Sequence, residues 1–316
     1  MMEILQPGLL TTVQDGGRWG FQQYGVPVCG AMDWSALARA NLLAGNTMEE
    51  AALEITGLGP VLRFLQDNCF ALAGADCAAA LNDTPLESGR AYFASAGDIL
   101  RMGALKRGFR ACLAVSGGFD LPEVMGSRST CLSAGFGGYR GRALQKGDRL
   151  AFRSPQLWLH GLTERRLPED YDPAQPVRVV LGPQADAFSE ETLARFFSAE
   201  YRLGPKSDRM GARLEGPPLP LQPGKTANII SDGIAMGSIQ VPNGQPILML
   251  ADRQTTGGYV KLGAVITADL PLAAQKRPGD TIRFQRCTVE EAQTLLRRLR
   301  RQLHHAAQAL DDPARW

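Results

Sequence analysis

Between residues 52 and 115, short apolar runs recur at close spacing, and turn residues separate them. They are Ala52–Thr56, Val61–Phe64, Cys69–Ala73, Ala78–Leu81, Arg90–Phe93, Ile99–Met102 and Arg110–Val115. Each run has the length of a strand and is too short for an ordinary helix. Asn82-Asp83 and Gly97-Asp98 mark turns between them. A chain built this way is restricted to a β-barrel or a β-sandwich, because many short strands must find partners without leaving open edges.

A second pattern divides the chain. Gly137-Gly138-Tyr139 precedes Lys146-Gly147-Asp148 and the apolar run to Phe152; Gly257-Gly258-Tyr259 precedes Pro278-Gly279-Asp280 and a run to Phe284. The echo implies two related β units, each closed by a strand after a Gly-Asp turn. Ser154–Pro176 is rich in proline and charge and reads as the linker. The expected organisation is an N-terminal unit over 1–153, a linker over 154–176, a second unit over 177–287, and a C-terminal helix and tail over 288–316. The 316 residues suffice for two ordinary domains.

Few helices are expected. Asp33 or Ser35 can cap one over Asp33–Ala44, and Ser189 another reaching Phe197. Thr288–Gln308 places Val289, Ala292, Leu295, Leu296, Leu299 and Leu303 at helical spacing, with Arg297, Arg298, Arg300 and Arg301 on a solvated face.

Composition removes several function classes. A net charge of +2 gives no electrostatic footprint for nucleic acid. Six scattered cysteines without CxxC spacing read as reduced and buried, and their spacing does not suit zinc, so no metal site is expected. His160 lies in the linker, where a surface or packing role is the ordinary reading. The start MMEILQPGLL has no signal-peptide character, and no apolar run is long enough to span a bilayer. A cytoplasmic protein that binds neither membrane nor nucleic acid is expected. There is no GxSxG elbow and no GxxxxGK[ST] phosphate loop.

Chemistry-bearing residues gather in Asn228–Phe284. Within Pro246–Tyr259 the apolar run Ile247–Ala251 stops at Asp252-Arg253-Gln254-Thr255-Thr256, and Gly257-Gly258 permits a tight turn or a close backbone approach. This reads as a polar hairpin tip or as a binding loop at the end of a strand. Gly8–Asp33 is glycine-dense with Gln14, Asp15 and Arg18 interspersed, and reads as a surface loop or as a segment lying against a ligand. Ser116-Gly117-Gly118-Phe119 is a turn or a nest of backbone N–H groups.

Taken together, TTVQDGGRWG, ALEITGLGP, GPQADAF, SDRMG and the Asn228–Phe284 segment resemble the allophanate hydrolase subunit 2 family, also called KipA-like or biotin-dependent carboxyltransferase. The likeness is strongest to its ATP-dependent 5-oxoprolinase branch. The resemblance implies a mainly β fold of two cyclophilin-like β-barrel units with a few short helices. It implies a subunit that opens the lactam of 5-oxo-L-proline to L-glutamate, active in complex with a KipI-like subunit and a LamB/YcsF-like subunit. Related proteins carry two alternatives: biotin-dependent carboxyl transfer of the urea carboxylase type, and KipA-like binding of a KipI-type kinase inhibitor.

The same resemblance implies the site. Asp208, Arg209, Asp232, Asp252, Arg253 and Lys261 are the catalytic candidates. Gln240, Gln254, Thr255, Thr256, Gly257, Gly258, Gln14, Asp15 and Arg18 are the substrate-binding ones. The cations would hold carboxylate or phosphate oxygens, and an aspartate would move a proton or meet Mg2+. ATP and Mg2+ are implied for the complex, biotin only for carboxyl transfer. Arg253 is expected either to grip a ligand oxygen pair or to pair with Asp208 or Asp232.

Overall fold

Arg110–Val115 is buried along its whole length, a strand covered on both faces. The computed structural model describes residues 1–154, 159–168, 172 and 174–311. The chain divides into two units: Met1–Arg18 with Cys29–Tyr171 and Arg301–Trp316, and Trp19–Val28 with Asp172–Arg300.

In chain order the first unit holds β1 (Met2–Gln6), β2 (Leu10–Gln14), α1 (Trp34–Leu43), β3 (Ala52–Thr56), β4 (Val61–Phe64), β5 (Asn68–Gly74), β6 (Ala80–Leu81), β7 (Thr84–Pro85), β8 (Arg90–Ala94), β9 (Ile99–Arg101), β10 (Arg110–Val115), β11 (Arg149–Leu150) and α2 (Leu159–Leu162). One sheet runs β11-β1-β4-β9-β6-β7 and the other β2-β3-β10-β5-β8. Phe70, Leu72, Ala111, Leu113 and Val115 face one core with Leu62 and Phe64. The alternate residues Cys69, Ala71, Ala73, Cys112 and Ala114 face a second core under α1. Small side chains on that side let Ala36 and Ala40 of the helix come close, which is why β5 and β10 read as unbroken apolar runs.

The cap expected for α1 is in place: Asp33 Oδ1 accepts a hydrogen bond from Ala36 N–H at 2.8 Å. Two sequence expectations need correction here. Gly8–Asp33 is not loop throughout, since Leu10–Gln14 is β2, paired along its length with β3. Part of the proline-rich segment, 159–168, packs within the first unit: Leu162 is buried, and Arg165 donates to Leu42 O at 2.8 Å and pairs with Asp311 at 2.6 Å. The rest of that segment lies largely outside the described residues, as does the His160 side chain.

The second unit contains β12 (Val177–Leu181), α3 (Glu190–Ser198), β13 (Glu200–Leu203), β14 (Gly211–Glu215), β15 (Asn228–Gly233), β16 (Ser238–Gln240), β17 (Ile247–Met249), β18 (Thr256–Tyr259), β19 (Lys261–Val265), α4 (Leu270–Ala274) and β20 (Thr281–Arg286); α5 (Val289–Leu310) begins there. Seven strands close a barrel in the order β12-β19-β16-β17-β14-β13-β20. A parallel pair, Val177 opposite Phe284, joins β12 to β20. The remaining two strands, β15 and β18, form a separate ribbon.

Closure brings apolar side chains of α3 onto the barrel. Ser189 caps that helix through Thr192 N–H at 3.1 Å. Phe196, fully buried, stacks on Phe284 with ring centroids 4.7 Å apart and lies 5.7 Å from Tyr201. Burial pushes the Tyr201 phenol up to about 12. The Gly-Asp echo has the same geometry in both units: Asp148 accepts from Gln145 N–H at 2.7 Å, and Asp280 from Arg277 N–H at 2.9 Å. At α5, Thr288 and Glu291 exchange side-chain-to-backbone bonds of 3.2 and 2.8 Å, a capping box. Among the described residues no helix is long and apolar enough to cross a membrane.

Phe196→Ala removes the ring that bridges α3 to β20. Its loss should cost about 3–5 kcal/mol. Urea unfolding should show this as a lower midpoint at unchanged slope.

Candidate functional site

The ladder between β14 and β17 pairs Gly211 with Met249, and the pairing continues past the ends of both strands. Leu250 N–H donates to Met210 O at 2.9 Å and Asp252 N–H to Arg209 O at 2.8 Å. The side chains then close the same join. Arg209 Nε meets Asp252 Oδ2 at 3.0 Å and Nη2 meets Oδ1 at 2.9 Å, with side-chain exposures of 4% and 3%. This fork-to-carboxylate geometry is the strong form of an ion pair. Asp208, exposed beside it, accepts from Met210 N–H at 2.8 Å and Gly211 N–H at 3.1 Å, and so shapes the turn into β14.

Arg253 is also buried. Its Nε donates to Ile234 O at 2.9 Å and Nη1 to Leu250 O at 3.3 Å. These two bonds use the guanidinium on backbone carbonyls and fix the turn after β17. That turn falls at Ala251-Asp252. Gly257 and Gly258 lie instead inside β18. Close approach explains the first glycine: a Cβ at 257 would stand 2.5 Å from Ile234 Cδ1 and 2.7 Å from Gln240 Nε2.

Gln240 and Lys261 face each other in the register of β16 and β19, so their side chains share one face. Both residues are buried. Lys261 Nζ pairs at 2.8 Å with Asp232 Oδ2, and the aspartate side chain is 58% exposed on the ribbon. The Lys261 bond, with Gly233 N–H, holds the Asp232 carboxyl below the usual carboxylate range. Gln240 Nε2 is buried without a hydrogen-bond partner among the described residues. Gln254 and Thr256 are exposed, and Thr255 contributes its carbonyl to Ile234 N–H at 3.0 Å.

Sequence reasoning missed Gln184, whose Oε1 accepts from Lys261 N–H at 3.2 Å. Its neighbour Gly182 lies so close that a Cβ would reach 2.5 Å from Lys261 O. The Gly-Pro-Gln sequence was the available signal, since it carries a glycine and an amide at one turn.

In the first unit Gln14, Asp15 and Arg18 form a second cluster. Asp15 Oδ1 accepts from the hydroxyls of Ser127 at 2.8 Å and Ser129 at 2.5 Å, and Oδ2 from Arg128 N–H at 2.5 Å. Arg18, fully buried, donates to Val124 O at 2.8 Å and Ser129 O at 2.9 Å, and lies 4.7 Å over the Phe136 ring. Gln14 Nε2 donates to Thr130 O at 3.2 Å. Together they hold residues 124–130 in place. Ser127 and Ser129, in the hydroxyl-rich run Ser127–Ser133, supply the partners of Asp15. Burial raises the Cys69 and Cys77 thiols to about 12, which leaves neither as a thiolate nucleophile at neutral pH.

Known proteins share this architecture. The family model for the carboxyltransferase domain, subdomains A and B, matches residues 24–286. The chain is 41% identical over 298 residues to the 5-oxoprolinase C subunit of Escherichia coli (strain K12), covering 92% of this chain and 93% of the relative. It is 38% identical over 299 residues to the Haemophilus influenzae protein of the same name, covering 94% and 95%. Among solved structures, the urea amidolyase of K. lactis superposes with a TM-score of 0.89 at 31% identity over 96% of this chain, which spans only 20% of that longer one.

Asp252→Ala would take the bidentate carboxylate from the buried Arg209 guanidinium, at a cost of about 3–5 kcal/mol. Thermal unfolding should show this as a markedly lower midpoint. For the second ion pair the sign follows from the lowered carboxyl. Its contribution is present above the unfolded aspartate value of about 3.9 and is lost as pH falls through the lower folded value. Carbon-detected titration should place the Asp232 midpoint below that of a free aspartate, and Lys261→Met should move it back toward that value, with the Gly233 N–H bond keeping part of the shift.

Proposed function

The chain belongs to the family of carboxyltransferase domains with subdomains A and B, and from that membership we propose that it is the C subunit of an ATP-dependent 5-oxoprolinase. The observation that carries this reading is the end-to-end match to the Escherichia coli 5-oxoprolinase C subunit, which covers 93% of the relative. The urea amidolyase likeness covers a fifth of a much longer chain.

On this reading the reaction opens the lactam of 5-oxo-L-proline to give L-glutamate, in the cytoplasm, with a KipI-like subunit and a LamB/YcsF-like subunit as partners. A lactam is resonance-stabilised, and ATP supplies the driving force. ATP and Mg2+ belong to the complex on this reading. Within this chain Arg209 meets Asp252, Lys261 meets Asp232, and Arg253 donates to carbonyls. This chain's contribution is to hold and orient a small polar substrate with the donors around Lys261. The structural likeness to urea amidolyase supports a second reading, carboxyl transfer from biotin carried on another chain.

Reconstitution separates these. The chain mixed with both partner subunits, ATP and Mg2+ should release L-glutamate from 5-oxo-L-proline, and the chain alone should not. Carboxylation of urea by the chain with a biotin-bearing partner, without glutamate release in the first assay, would replace the first reading with the second.

A further inference from the structure

Four side chains or backbone positions of the second unit meet at one place. Gln240 and Lys261 are directly opposed on β16 and β19. Asp232 and Gly257 are directly opposed on the β15–β18 ribbon. The two pairs touch twice: Asp232 bonds Lys261 Nζ at 2.8 Å, and the Gly257 backbone lies against Gln240 Nε2. Gln240 is 2% exposed, yet its amide donor has no acceptor among the described residues. An unmet buried donor is costly, so its retention calls for a reason.

We propose that Gln240 Nε2 and Lys261 Nζ form a two-donor subsite for a ligand carboxylate, and that the β15–β18 ribbon closes it with Asp232 as a stand-in for that carboxylate. The ligand's chemistry follows from what occupies the place. Lys261 already holds a carboxylate oxygen, so a like group can exchange for it with little change in charge. One ligand oxygen takes over the ammonium and the other reaches the amide that Asp232 leaves unmet. Asp232 can leave because its side chain is 58% exposed and is resolvated on release, whereas Lys261 at 6% must keep a partner. The ribbon suits movement, since it is paired to no other strand. Its bulge between Asn228 and Asp232 carries Ile230, 93% exposed. Gly257 allows the ribbon to lie flat on the amide when closed.

The assignment to the carboxylate of 5-oxo-L-proline rests on the proposed function; the subsite itself does not. Two measurements keep them apart. In the 15N-labelled full chain, the Gln240 side-chain amide signal should move on titration with acetate and not with acetamide. Asp232→Asn, on the exposed ribbon, should bind acetate about tenfold more tightly, the scale of one contact to a charged group. A Gln240 signal indifferent to acetate in Asp232→Asn, or equally responsive to acetamide, would overturn the subsite. In the reconstituted complex, Gln240→Leu should raise KM for 5-oxo-L-proline about tenfold with kcat within about twofold, as expected for loss of uniform binding. A fall in kcat at unchanged KM would overturn the assignment to substrate binding. A wild-type complex without 5-oxo-L-proline hydrolysis would remove the proposed function, while the acetate titration would still decide the subsite.

Discussion

The Arg209–Asp252 pair organises the second unit's polar cluster. The β14–β17 ladder would otherwise end at Gly211 and Met249, leaving the following backbone groups to find other partners. The ion pair holds the join on to Arg209 on one side and Asp252 on the other, and it does so inside the protein, where a carboxylate and a guanidinium without each other would be costly. A buried pair of this kind adds little net stability over an apolar substitute. What it supplies is a single register. With Asp252 fixed, Arg253 is aimed at Ile234 O, and that contact sets where the ribbon leaves the barrel. The position of Asp232 over Lys261 therefore depends on a join between residues far from it in sequence.

The first unit uses the same device with a different acceptor. Arg18 is fully buried; it donates to the carbonyls of 124, 127 and 129 and lies over the Phe136 ring. Asp15 takes the hydroxyls and N–H groups of the same segment. A segment without regular secondary structure cannot satisfy its own backbone, so side chains must do it. A cation serves the carbonyls and an anion serves the donors. Gln14, Asp15 and Arg18 thus hold residues 124–130, while Gln14 Oε1 and Arg18 Nη1 stay buried without a hydrogen-bond partner among the described residues.

Strands with local signals were legible in the sequence. Ala52–Thr56, Val61–Phe64 and Arg110–Val115 coincide with their apolar runs, because burial of both faces or strict alternation writes itself into residue type. Helix caps at Asp33 and Ser189 were legible for the same reason: the capping chemistry is local. What was not legible depends on distant partners. Leu10–Gln14 became β2 because β3 lies beside it, not because of its own composition. Thr256–Tyr259 is a strand despite two glycines, since Gln240 and Ile234 exclude a side chain there. The candidate residues were named from motifs, but their partners were not. No spacing in the sequence says that Lys261 meets Asp232 across 29 residues, or that Arg253 turns to a carbonyl.

Charge balance limits what the described cluster can do. Arg209, Arg253 and Lys261 are set against Asp208, Asp232 and Asp252, so the cluster is close to neutral, and its most buried cation is locked bidentately. Stabilising a transferring phosphoryl group needs several preorganised positive charges or metal ions that have no competing acceptor. Holding one carboxylate needs only a donor pair and an anion that can step aside. The second demand fits a buried Lys261 with an exposed counter-ion and an idle amide beside it. The same reasoning explains why the exposed partner is the aspartate and the buried one the lysine. If both were buried, release would strand a charge in the interior. If both were exposed, solvent would screen the contact until it selected nothing. A position that holds the chain's own carboxylate at rest and exchanges it for a ligand's requires this asymmetry.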